Sequence, residues 1–489
     1  MTRQRWPSKL IFIFAAIGSA VGLGNVWRFP YLAGKYGGGA FLVPYIIMLF
    51  ILGVPLLIME FAIGQRMQLG AVGSFKKIKH KLSGLGLGAV LCGFVVVSYY
   101  AVVMAWCLLY FIYSFTLKWG VDTKGFFFNN VLHLSKGVGD IGFISAEIIF
   151  ALLFIWLLVY FSVWKGVKSV GKVVLVTMPL PIILLIALLI RGITLPGASE
   201  GIIFYLKPNF AALLDFDVWS AAMSQIFFTL SLAFGIMIAY ASFQHESSDI
   251  TKSALITSLV NCGISIVAGF AVFSTLGYMA IKSGVPVSEL AASGPSLAFI
   301  VFPKALSLMA LAPFFSVLFF LMLITLAIDS AFSLVEAVST VVHDRYPHVR
   351  KEDISLYVCV IGFVCGIIFT TFAGLYYLDI TDHFITNYGL VIVGLLEAWA
   401  IGWLYGADKL RGYINKVSDI KIGRWWNALI KFVIPACLLV LLTAGLYKDI
   451  RSPYEGYPQW AIFTFGWFML LGVFLISFIF AHFSKEQPD

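Results

Sequence analysis

Apolar residues fall into twelve long runs, divided by short stretches rich in Gly, Pro, Asn and charge. Their limits are 10–34, 39–64, 86–117, 143–163, 170–190, 218–243, 253–280, 305–342, 354–370, 374–404, 430–447 and 460–482. An apolar helix needs about 20 residues to cross the hydrocarbon of a bilayer, so each run predicts one membrane span. An even number of spans places both ends of the chain on one side. With that side cytoplasmic, the inner segments hold 20 Lys and Arg and the outer ones 10, while Arg28, Lys172 and Lys431 fall within spans. Basic residues stay inside, so this count predicts an all-α polytopic protein of a cell membrane with both termini cytoplasmic.

Two spans do not read as continuous helices. The first carries GSAVGLGN at 18–25, where each glycine costs about 1 kcal/mol relative to alanine in a helix interior. The sixth carries QIFFTLSLAFG at 225–235, with Thr229, Ser231 and Gly235 interrupting an apolar run at similar depth. These two spans head successive blocks of five, so the expected organisation is a first repeat over 1–190, a second over 191–404, and two further spans over 405–489. Broken helices at matching places in two inverted repeats expose helix ends and carbonyls at mid-membrane. The alternative is that Gly18 and Gly22 only let helices pack closely.

Composition agrees. Of 489 residues 61% are hydrophobic and 12% charged, with a mean hydropathy of +0.97, against roughly 25% charged in soluble domains. The net charge of +9 lies in short clusters between apolar runs, which reads as topology and excludes a nucleic-acid face. Cys92, Cys107, Cys262, Cys359, Cys365 and Cys437 all sit in apolar stretches without metal-site spacing, as packing residues do. No Asn-x-Ser/Thr acceptor occurs, and the N-terminal apolar run has no small-residue cleavage pattern, so it is expected to be retained. A His-Glu-x-x-His run and a phosphate-binding Gly-Lys-Ser/Thr loop are both missing, which argues against a zinc hydrolase or an ATP-driven pump.

Ionisable residues at membrane depth are costly and point to function. They are Arg28, Glu60, Asp329, Glu336, Asp379, Asp382 and Glu397. Arg28 and Asp382 both lie toward the outer side and suit an external latch. Asp329 and Ser330, adjacent in span 8, offer hard oxygens of the kind an alkali cation takes. Glu60, Glu336 and Glu397 read more simply as caps of interrupted helices or as lining of an inner vestibule.

The run GSAVGLGNVWRFPYLAGKYGGGAFLVPY at 18–45, with FFTLSLAFG at 227–235 and ITLAIDSAFSLVEA at 324–337, resembles the neurotransmitter:sodium symporter family over nearly the whole chain, in a bacterial or archaeal-type amino-acid transporter. The resemblance implies two sodium sites. The first takes oxygens from Ala20, Asn25, Thr229 and Asn261, together with the substrate carboxylate. The second takes them from Gly18, Val21, Leu326, Asp329 and Ser330, where Asp329 replaces a threonine common in bacterial members.

For the substrate, the resemblance implies Ser19, Ala20, Gly22, Leu23, Gly24, Val96 and Tyr100 on one side. Phe228, Ser231, Ala233, Phe234, Ser330 and Leu334 complete the site. Tyr100 would bond a carboxylate, and Phe228 would close the site beneath Arg28 and Asp382. Monoamine carriers have an aspartate where this chain has Gly22, so a neutral amino acid is the expected cargo. Ala233, in place of a glycine, is expected to crowd the site slightly and favour small or aliphatic side chains.

Ser265, one turn after Asn261, stands where chloride-independent bacterial relatives carry an acid. With Tyr45, Gln225, Thr229 and Asn261 it matches the chloride positions of the animal branch, so a chloride site is expected. The alternative is a packing serine. Arg3, Trp6 and Asp344 match an inner latch, though Phe243 replaces a supporting tyrosine and Glu336 a glutamine. The resulting expectation is a sodium-coupled symporter of neutral amino acids working by alternating access. Its partners are a small-molecule substrate and membrane lipid, with a homodimer left open. A non-transporting sensor of the same fold, a carrier of another small zwitterion or amine, and a channel remain as alternatives.

Overall fold

The computed structural model describes residues 3–290 and 294–484, and those residues form helices joined by short connections. Lys485, counted above on the inner side, lies outside them. Among the described residues, ten helices are long and apolar enough to cross a membrane: Gly38–Met67, His80–Ser114, Ala146–Val163, Val167–Ile193, Ile250–Ser283, Ala312–Arg345, Lys351–Thr370, Gly374–Val417, Arg424–Gly456 and Gln459–Phe483. They are spans 2 to 5 and 7 to 12. Lys9–Ala20 and Leu23–Lys35, bent by 52° to one another, make span 1. Span 6 consists of Phe216–Thr229 and Ile236–Ala241 with a non-helical stretch between them. Eleven of the twelve expected spans are therefore long and apolar enough to cross, counting the bent pair as one, and the expected sixth is divided between two shorter helices.

Local chemistry sets several of the ends. The hydroxyl of Ser8 accepts the Ile11 N–H where span 1 begins, and Asp249 accepts from Lys252 at the start of span 7, so polar side chains take donors that the first helical turn leaves free. Span 8 starts at Ala312 and not at 305. Leu311 sits in the left-handed region at φ 61° with Pro313 in the first turn, and 302–307 forms a separate short helix. At the other end of the repeat region, helix continues past the expected boundary at 404 into Ala407–Val417. The chain turns there only at Gly406, whose φ of 91° suits glycine. Short helices also fill connections read as loops, among them Ala71–Ile78, Ala198–Leu206 and Phe210–Leu214.

Spans 3 and 8 form the most extensive helix pair, and span 1 lies against spans 7 and 8. The broken parts of spans 1 and 6 are thereby enclosed: Ser19, Asn25, Thr229 and Ser231 are all buried. Spans 4, 5, 9, 11 and 12 carry many of the exposed large apolar side chains, including Phe150, Ile183, Ile361, Phe432 and Phe478, as a lipid-facing shell requires. Four of the cysteines are buried and Cys437 is half-buried, but Cys365 is exposed on span 9, so packing against protein does not account for it.

Candidate transport site between the broken helices

The break in span 1 has a local cause. Val21 leaves the helical region at φ −82° and ψ 114°, and Gly22 is fully extended. The Gly22 N–H then donates to the side-chain oxygen of Asn25 at 2.9 Å instead of to a carbonyl one turn back. That frees carbonyl oxygens at the end of Lys9–Ala20. Two hydroxyls take up the Ser19 carbonyl, Ser231 at 2.9 Å and Ser330 at 3.2 Å.

Span 6 unwinds through three residues in the left-handed region, Ser231 (φ 53°), Ala233 (φ 64°) and Gly235 (φ 72°). For the two non-glycine residues this costs on the order of 1–3 kcal/mol each, so surrounding contacts must hold them. One such contact is buried Glu60 of span 2, whose Oε1 accepts the Ala233 N–H at 2.8 Å. The capping expected of Glu60 is thus present.

Between the two breaks lies a cavity of about 510 Å³, lined by Ser19, Ala20, Gly22, Leu23, Gly24, Asn25, Val96, Tyr100, Phe228, Thr229, Ser231, Phe234, Ile236, Ser330 and Leu334. Its walls carry no charged side chain. The Leu23 N–H faces the Tyr100 hydroxyl at 3.5 Å. A Cβ on Gly22 would stand 2.9 Å from Ser330 Oγ and 3.3 Å from Tyr100 Oη, so only glycine leaves that polar corner open. Twelve of the thirteen substrate positions expected from sequence line this space. Ala233 does not: its methyl turns toward Gly394 of span 10, and the size argument built on it falls.

A second, smaller cavity of about 210 Å³ lies between spans 1, 5, 7 and 8. Gly18, Val21, Leu326 and Asp329 all line it. Asp329 is buried, and its Oδ1 has no hydrogen-bond partner among the described residues. Span 1 approaches so closely that a Cβ on Gly18 would meet Asp329 Oδ2 at 2.3 Å. An orphaned buried carboxylate oxygen beside freed carbonyls fits a hard monovalent cation. Ser330 lies on the other side, facing the larger cavity.

Asn25, Asn261 and Thr229 form one buried cluster. The Asn25 amide donates to Asn261 Oδ1 at 2.9 Å and to Ser265 Oγ at 2.7 Å, and the Asn261 amide donates to Thr229 Oγ1 at 3.2 Å. Ala20, the fourth member of the expected first sodium set, lines the large cavity beside Asn25 and Thr229. Gln225, one turn before Thr229, is buried with both amide atoms unpartnered, and Tyr45 donates to Cys262 Sγ at 3.2 Å. The expected chloride positions therefore bring together hydroxyl and amide donors, and no acid stands among them. That donor set fits an anion.

The inner latch is made. Arg3 bonds Asp344 at 2.6 Å and both the carbonyl and hydroxyl of Ser242, while the Trp6 indole donates to the Tyr240 carbonyl at 2.8 Å. Phe243 takes the place of a hydrogen-bonding tyrosine by presenting its ring to Arg3 at 4.6 Å and to Lys351 at 5.1 Å. Lys351 in turn bonds buried Glu336 at 2.5 Å, which no spacing in the sequence indicated.

The outer latch is not made. Arg28 and Asp382 form no ion pair within 4.0 Å. Arg28 instead bonds Ser224 at 2.9 Å and covers the Phe228 ring at 5.2 Å, and Asp382 accepts from Tyr99 at 2.5 Å. The direct pairing expected from sequence is corrected accordingly.

This arrangement has counterparts in known proteins. The family model of the sodium:neurotransmitter symporter family matches residues 3–124 and 120–486. The chain belongs to that family. It is 44% identical over 485 residues to a sodium-dependent transporter of Methanocaldococcus jannaschii, covering 98% of this chain and 97% of the relative. It is 36% identical over 515 residues to the human sodium- and chloride-dependent GABA transporter 2, covering 96% of this chain and 85% of the relative. The rat protein of the same name gives the same identity.

As a sodium:neurotransmitter symporter homologue, the chain is a membrane-embedded transporter and not an enzyme. Sequence reading missed Ile236 as a wall of the site, because its place depends on how far span 6 unwinds before Ile236–Ala241 resumes.

Proposed function

We propose that this protein is a sodium-coupled symporter of a neutral amino acid or closely related zwitterion, working by alternating access. The observation that carries the reading is the cavity between the broken spans, with freed backbone groups, Gly22 and Tyr100 at one end and uncharged walls elsewhere. A carboxylate would sit at the Gly22 and Tyr100 corner, where the N-terminus of Leu23–Lys35 favours negative charge. Val96, Phe228, Phe234 and Leu334 would hold an uncharged side chain.

In this reading Ala20, Asn25, Thr229 and Asn261 hold one sodium, next to the substrate. Gly18, Val21, Leu326 and Asp329 hold a second, and Ser330 stands between it and the substrate cavity. Tyr45, Gln225, Thr229, Asn261 and Ser265 hold chloride, an assignment supported by the unpartnered Gln225 amide and by the chloride-dependent relatives. Both termini lie in the cytoplasm, and the repeats divide near 190 and 404. The formed inner latch and the open outer one suit a molecule that receives substrate from outside. Phe228 and the pair of Arg28 and Asp382 close over it, and Arg3, Trp6 and Asp344 then release it inward.

The energetics permit concentration. Two sodium charges crossing about 100 mV release roughly 4–5 kcal/mol, enough for about three decades of accumulation. The test is uptake of radiolabelled neutral amino acids and γ-aminobutyrate into proteoliposomes under an inward sodium gradient, with chloride replaced by gluconate in a parallel series. Sodium-dependent accumulation supports the symporter, and its loss in gluconate supports the anion site. Sodium-dependent binding with no uptake of any compound would overturn transport in favour of a sensor.

A further inference from the structure

The outer half of span 10 does not run as one regular helix. It widens to a π turn over Ile385–Gly389, where the Leu390 N–H donates to the Ile385 carbonyl five residues back, a form often kept at working sites. His383 and Asn387 are bonded across this turn. The Asn387 amide donates to the His383 carbonyl at 2.9 Å and faces Nδ1 of the His383 ring at 3.2 Å. On the other edge of the ring, Nε2 meets Asp449 Oδ2 of span 11 at 2.6 Å, and Tyr388 donates to the same oxygen at 2.6 Å. Tyr454 stacks on the ring at 3.7 Å and donates to Asp379 at 3.2 Å.

These bonds suit a ring with one proton, on Nε2. The His383 carbonyl holds the Asn387 amide with its N–H groups toward the ring, so Nδ1 must accept. A second proton on Nδ1 would set donor against donor. The contact with Asp449 then persists as an ion pair, but Asn387 must turn away and give up its bond to the His383 carbonyl. The other charged groups around the ring are Asp382, which precedes it, Lys448 beside Asp449, and Asp379 and Glu455 beside Tyr454. Among the described residues none of them hydrogen-bonds Nδ1.

We propose that His383 is a proton sensor on the outer side of the protein. Neutral, it braces the turn Ile385–Gly389 through Asn387; protonated from the outer solution, it releases the turn and slows closure of the outer latch. The link to the latch is short. Thr386, inside the turn, donates to the Asp382 carbonyl at 2.6 Å, and Asp382 is the residue that has to leave Tyr99 for Arg28. The side chains of His383 and Asp449 are 15% and 8% exposed, enough for exchange of a proton with solvent. Histidine is the side chain that ordinarily titrates near neutrality.

The test is hydrogen exchange over residues 383–392 of the full chain in lipid nanodiscs, in sodium chloride without substrate, at about pH 5.5 and about pH 8, corrected for the intrinsic chemical rate. Wild type should lose about three- to tenfold protection in acid, the equivalent of one hydrogen bond. His383→Gln should show no such step. Asn387→Ala, which leaves the ring and Asp449 in place, should have the low protection at both values, and it decides the matter should His383→Gln fold poorly. Asp449→Asn keeps a hydrogen-bond partner without the charge and should move the midpoint to lower pH, which a merely structural contact would not do. No acid step in wild type, or an equal step in His383→Gln, would overturn the proposal. The effect on uptake rests on the alternating-access reading, whereas the exchange measurements do not. Acid outside should lower the maximal rate by a similar factor in wild type and not in His383→Gln, with KM unchanged; an exchange step without that change in rate would sever the turn from the latch.

Discussion

Gly18→Ala is the sharpest perturbation of the proposed second sodium site. The added Cβ would stand 2.3 Å from Oδ2 of Asp329, 3.0 Å from its Cγ and 3.2 Å from its Cβ. Ordinary contact begins at 3.4 Å, so the carboxylate must retreat by about 1.1 Å. Metal-ligand distances tolerate errors of only about 0.2 Å, and a misplacement of about 1 Å in a working site costs on the order of 100-fold. That corresponds to about 2.7 kcal/mol. The half-saturating sodium concentration for uptake or for substrate binding should rise by about that factor, with expression and folding retained, since the neighbouring cavity gives the side chain room to move. Removing the carboxylate removes the clash, so in an Asp329→Ser background the same Gly18→Ala change should cost less than about threefold. A normal sodium dependence in Gly18→Ala, or a penalty of the same size in both backgrounds, would refute the reasoning, because the collision with Asp329 could then not be its cause.

Four further outcomes are expected. Ser265→Glu places a fixed negative charge among the Tyr45, Gln225 and Asn261 donors, so uptake in gluconate should reach its rate in chloride; continued chloride dependence would count against the anion site. Gly22→Ala crowds Ser330 Oγ at 2.9 Å and Tyr100 Oη at 3.3 Å, and overpacking of about 1–3 kcal/mol should raise substrate KM about tenfold; an unchanged KM would remove that corner from the site. Arg3→Gln breaks the 2.6 Å bond to Asp344, a charged contact of about 1.5–3 kcal/mol, and hydrogen exchange over residues 9–20 should speed up by about tenfold or more, with wild-type protection speaking against a latch. Lys351→Met leaves Glu336 buried without its cation and should destabilise the protein by about 3–5 kcal/mol, while adding Glu336→Gln recovers most of the loss in thermal unfolding; equal instability of the single and double variants would deny the pair.

The number of spans, their approximate limits, the position of both breaks and most walls of the central cavity were legible in the sequence by itself. Each is written in local composition: a span in its apolar length, a break in Gly18, Gly22 and Gly24 or in Thr229, Ser231 and Gly235, and the family in contiguous motifs. What only the tertiary structure decided concerns direction and distance between segments far apart in the chain. Ala233 belonged by sequence with the cavity, but its left-handed backbone turns the methyl to span 10 and aims its N–H at Glu60. Arg28 and Asp382 had suitable charges and depth, yet Ser224 and Tyr99 stand closer and take them. Lys351 meets Glu336 because helix rotation and the close approach of whole spans set that outcome. Hydropathy reports how deep a residue lies and is silent on which neighbour it faces.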